Sequence, residues 1–122
     1  MAVETEAPSA QPGLEHVPFT KLYKDIPVHF QVLSLPKQTL IWVACGPARL
    51  RSLSAATVVP QTGLPAVTSL IGWAANSSEQ GLASRLAQAS GKAVMVSLNL
   101  PSNSAGMEAF VEQELKGHLL RQ

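Results

Sequence analysis

The chain has 122 residues, a formal net charge of +1 and one cysteine. That length suits a single domain with a real core. The near-neutral charge gives no case for nucleic acid or an anionic membrane, and a lone thiol excludes an internal disulfide. Apolar residues make up 46% and charged residues only 14%, a balance that suits a domain whose surface is partly covered by a partner.

The opening "MAVETEAPSAQPG" has no hydrophobic periodicity and reads as part of a flexible tail over 1–17, with one α+β domain over 18–122. Glu4, Glu6 and Glu15 stand there without a Lys or Arg, the reverse of a secretory or transit signal. No apolar run approaches the roughly 20 residues that span a bilayer. These features, with the single Cys45, lead us to expect a cytosolic or nuclear protein. Between Leu14 and Pro27 the apolar Val17, Phe19, Leu22, Tyr23 and Ile26 suit an extended arm or short strand, bracketed by Pro18 and Pro27.

From Val28, "VHFQVLSL" alternates and predicts a strand with Val28, Phe30 and Val32 on one face. "PKQ" then makes a tight turn into "TLIWVAC", a nearly continuous apolar run, as for a strand in mid-sheet or covered on both faces. "LSAATVV" and "AVTSLI" predict two further strands around the "PQTGLP" loop. "ANSSEQGLASRLAQASG" predicts a helix, capped by Ser77 with Gln80 or by Asn76 with Glu79, with Leu82, Ala83, Leu86 and Ala89 on its apolar stripe. Gly91 stops it, "AVMVSLNL" gives a fifth strand, and a second helix runs from about Ala105 to Leu120. Glu108 and Glu112 near the start of that helix, and Lys116 and His118 near its end, agree with its dipole. Strands precede helices and connections are short, so the fold class is α+β, a largely antiparallel sheet of five to six strands with two helices.

Little here carries chemistry. Gly91-Lys92 imitates the end of a phosphate loop, but Leu86 stands where the earlier Gly belongs, Ala93 follows the Lys, and the order is helix then strand. His16, His29 and His118 have no ligand spacing. Cys45 ends an apolar strand, where a small packed thiol is the common state, and Ser34 with Lys37 lacks the helix and companion motifs of acyl-transfer enzymes. The acids are scattered on solvated positions, and Arg49 with Arg51 form a small basic pair near a turn. The residues alone point to a binding domain. A general adaptor, or a small thiol enzyme using Cys45, stands as the alternative.

The blocks "VHFQVLSLPKQTLIWVACGPARLRSLSAA", "TSLIG" and "GLASRLAQASGKAVMVSLNL" together resemble the proteasome assembly chaperone 4 family. The resemblance rests on Val28-His29-Phe30, Leu40 with Trp42-Val43, Leu50-Arg51 with Leu53, Thr68 to Gly72, Gly81 to Ala87 and Lys92 to Leu100. It implies no enzymatic activity and no cofactor. It implies instead pairing with a chaperone 3-like subunit of similar fold and escort of α-type subunits into the α ring of the 20S core. For the partner interface we expect Met107, Phe110, Val111 and Leu115 on the last helix, a stripe that would serve equally to pack the helix on its own sheet. For the α-subunit contact we expect Arg49, Arg51 and Asn76. Trp73 suits either core packing or an interface anchor. Self-pairing is expected if the chain is alone, since an exposed apolar face finds its copy.

Overall fold

The computed structural model describes residues 14–46, 52–71, 77–101 and 105–120. In chain order they form β1 (Glu15–Tyr23), β2 (Ile26–Ser34), β3 (Gln38–Ala44), β4 (Leu53–Val58), β5 (Pro65–Ile71), α1 (Ser77–Ser90), β6 (Ala93–Asn99) and α2 (Ala105–Leu120). The strands make one sheet in the order β1-β2-β3-β6-β4-β5. Every neighbouring pair is antiparallel except β3 with β6.

Three features depart from the sequence reading. Strand β1 starts at Glu15, so a tail boundary after residue 17 would cut it. Lys24 and Asp25 both take positive φ, 50° and 68°, and close a two-residue hairpin turn with no Gly in it. The two prolines fit because of where they sit. Pro18 is on an edge strand, and Pro27 precedes the stretch of β2 that pairs with β3, which begins at His29. Second, β6 inserts between β3 and β4: α1 carries the chain from edge strand β5 back past β4, and β6 then pairs in parallel with β3. Third, α1 buries Leu82, Ala83, Leu86 and Ala87, whereas Ala89 is exposed.

The alternation of the strands decides the layering. Val28, Phe30 and Val32 on β2, Ile41 and Val43 on β3, and Val94, Val96 and Leu98 on β6 all point to one face, where both helices pack. From α2, Met107, Val111, Leu115 and Leu119 close this core. Phe19 stacks on Phe30 with centroids 4.6 Å apart and Tyr23 leans on Phe110 at 5.3 Å, which ties edge strand β1 under α2. Full burial of each large side chain, such as Phe30 or Leu86, is worth about 1.5–3 kcal/mol. Gly91 ends α1 with φ 74°, its N–H on the Ala87 carbonyl at 2.9 Å, the left-handed stop expected of it.

Candidate functional site

The same alternation leaves a second face that neither helix covers. Leu33 on β2, Leu40 on β3 and Met95 on β6 lie side by side in register across it, all half-buried, with Trp42 next along β3. Toward the two edges Leu22 and Leu70 are 64% and 51% exposed. A shallow apolar depression of about 300 Å³ opens where β4 parts from β6, between Ala55, Thr57, Ala66, Ala93 and Met95. Across all six strands no Asp, Glu, Lys or Arg points to this face. Its polar groups are largely engaged with one another. His29 Nδ1 and Thr20 Oγ1 are 2.9 Å apart, His16 Nε2 and Gln31 Oε1 2.6 Å, and Asn99 Nδ2 donates to Ser97 Oγ and the Val43 carbonyl. An uncharged, largely apolar sheet face of this extent is the composition of the core of a protein interface.

On the helix side one acid does something the sequence reading missed. Glu79, in the first turn of α1, is fully buried. Its Oε2 accepts from Ser52 Oγ at 2.5 Å and from the Leu98 N–H at 2.9 Å, and its Oε1 accepts from Ser54 Oγ at 2.6 Å. A carboxyl group at this end of a helix also meets the positive end of the dipole. Glu79 therefore fastens the start of α1 to β4 and β6 and is buried away from solvent.

The sequence profile of proteasome assembly chaperone 4 matches residues 27–100. The human protein of that name is 36% identical over 89 residues, which are 73% of this chain and 72% of the human one. The chain belongs to the proteasome assembly chaperone 4 family. The mouse protein matches to the same extent. A chain from the crystal structure of a chaperone complex for yeast 20S proteasome assembly superposes with a TM-score of 0.65, covering 89% of this chain and 94% of its own. At 10% identity that likeness establishes the fold, the six-stranded, mostly antiparallel sheet with two helices.

Within this family fold the residues expected at interfaces separate clearly. Met107, Val111 and Leu115 are 5%, 0% and 0% exposed and belong to the chain's own core, while Phe110 is half-buried against Tyr23. Arg49, Arg51, Asn76 and Trp73 lie outside the described residues. Cys45 is half-buried and packed against the core. The signal for the uncovered face was present in the strands as the other half of each alternation. One sequence does not say which half the helices take.

The two helices are tied at their surface by Glu112, whose Oε2 meets Arg85 Nε at 2.8 Å and Lys116 Nζ at 3.1 Å. Burial alone would raise the Glu112 carboxyl, but hydrogen bonds and positive charge from Arg85 and Lys116 outweigh it and hold it below its ordinary value. A lowered folded value means that the contribution is present above the ordinary carboxylate range and is lost as pH falls through it. Arg85 and Lys116 are half open to solvent, so Glu112→Gln is expected to lower stability by less than about 1 kcal/mol at neutral pH. That difference from the parent should shrink below about pH 4, read from denaturant unfolding of both proteins.

Proposed function

We propose that the protein is a non-catalytic chaperone of 20S proteasome assembly that works in the cytoplasm and nucleus. In this reading it pairs with a chaperone 3-like subunit through the uncovered sheet face, and the pair escorts α-type subunits into the α ring. The observation that carries the pairing surface is that no charged residue of the six strands points to that face, together with the half-buried row Leu33, Leu40 and Met95. A soluble partner with a matching apolar sheet would remove this surface from water, whereas the stripe on α2 is already used inside the chain. Family membership supports the assembly role. Binding an intermediate and excluding wrong neighbours requires only differential affinity, with no bond made or broken. Arg49, Arg51 and Asn76 remain our assignment for the α-subunit contact.

The experiment is co-expression with the chaperone 3-like and α-type subunits of the same organism, followed by native mass spectrometry. A one-to-one heterodimer that captures an α-type subunit is the expected result. A chain that stays alone beside a folded chaperone 3-like subunit would overturn the proposal.

A further inference from the structure

The two edges of the sheet are built differently. Edge strand β1 carries Pro18 in its middle, with Glu15 and Lys21 along it and Lys24 in its turn. These are the devices that discourage another chain from adding to an edge. Edge strand β5 carries no charge and no internal proline, and its pairing with β4 skips only Leu70, at a β-bulge near its end. Its only proline, Pro65, is its first residue, and from Ser52 to Ser78 the sequence contains no charged residue at all. Among the described residues β5 is paired on one side only, with β4, and its other side carries the alternate backbone N–H and C=O groups of an edge strand. Among the described residues, five large apolar side chains are exposed, and Leu64, Leu70 and Ile71 of them lie on or directly before this strand.

From this contrast we infer that the free edge of β5 pairs with β5 of a second copy of this chain, antiparallel about a two-fold axis at Thr68. The strand is complementary to itself. All seven residues overlap in this register, with Ala66 opposite Leu70, Val67 opposite Ser69 and Thr68 opposite Thr68. Side chains that share a face of the sheet stay on a common face, and a neutral strand meets its copy without like charges. β1 in the same arrangement would be obstructed by Pro18, whose nitrogen cannot donate. Thr68 is exposed, so the join makes no demand on the core. Seven residues of edge are far less than a standard interface, so the association is weak and concentration-dependent. The inference does not depend on the chaperone reading, because β5 stays at the edge whether or not the sheet face is occupied.

The test combines sedimentation with cysteine cross-linking, in a Cys45→Ala background. The paired register brings the two Thr68 Cβ atoms to roughly 5 Å. Thr68→Cys should therefore form a covalent dimer with a short thiol cross-linker. Ala66→Cys should not do so alone, but should when mixed with Leu70→Cys. Without cross-linker, Thr68→Lys should weaken self-association tenfold or more, and mixing it with Thr68→Glu should restore it. The parent remaining monomeric at the highest concentration reached would overturn the inference. So would Ala66→Cys linking to itself as readily as Thr68→Cys, or Thr68→Cys linking to the chaperone 3-like subunit in place of its own copy. Loss of the heterodimer in native mass spectrometry, with these links intact, would count against the proposed function alone.

Discussion

Glu79→Ala is expected to lower the thermal unfolding midpoint by about 10 °C, the largest loss of stability we anticipate for a single polar residue. The side chain is fully buried and accepts from Ser52 Oγ, Ser54 Oγ and the Leu98 N–H. Alanine removes all three acceptor contacts and opens a hole under the first turn of α1. The serine hydroxyls can rotate toward other acceptors, but the Leu98 N–H is fixed in strand β6 and has no such freedom. Hydrogen bonds of this kind are worth about 1 kcal/mol each, and an orphaned buried donor costs about 1–3 kcal/mol. A total of about 3 kcal/mol corresponds to a shift on the order of 10 °C for a domain between the small and mid-sized classes. Glu79→Gln separates geometry from bonding. Its carbonyl oxygen can take the place of Oε2 and keep the Leu98 N–H and Ser52, while the Ser54 hydroxyl turns to accept from the new amide. Glutamine should therefore lose clearly less than alanine. Circular dichroism melts of the two variants settle the matter. An alanine variant that melts with the parent would show that the three bonds contribute nothing net.

Much of this fold is legible in the residues. Both helices occupy the spans their periodicity and caps indicate, Ser77–Ser90 and Ala105–Leu120, because apolar spacing and a Gly stop are local signals. Strands β2 and β3 are legible for the same reason, and the apolar run of β3 does lie in mid-sheet. What is hidden depends on residues far apart in sequence. Strand β1 is masked by prolines that become harmless only once the strand is an edge, and its turn at Lys24-Asp25 lacks the usual glycine. The parallel pairing of β3 with β6 follows from where α1 carries the chain, which no local pattern states. Glu79 reads as an ordinary acid in a first helical turn until Ser52, Ser54 and Leu98 are brought around it. The candidate interface has the same character. Met107, Val111 and Leu115 make a better apolar stripe in the sequence than Leu33, Leu40 and Met95, which are contributed by three separate strands and meet only when those strands pair.

Leu40→Glu is expected to weaken pairing with a chaperone 3-like subunit by about a hundredfold while leaving the isolated chain folded. Leu40 lies on central strand β3, flanked in register by Leu33 and Met95, on the face that neither helix covers. In the free chain a glutamate there reaches water past its half-buried neighbours, so the loss of stability should stay near 1 kcal/mol. In the complex the same carboxylate would be enclosed among apolar side chains, with no charged residue of the six strands on this face to meet it. Burying an unpaired polar or charged group costs several kcal/mol, and each 1.4 kcal/mol is a factor of ten in affinity. Phe110→Glu supplies the opposing arm, since Phe110 is half-buried on the helix side against Tyr23. That variant should pair with nearly the parent affinity if it remains folded. Titration calorimetry of both variants against the purified subunit, with melting curves to confirm folding, divides the two surfaces. If Leu40→Glu binds as the parent does and Phe110→Glu does not, the contact belongs to α2, and the uncharged sheet face must serve another partner.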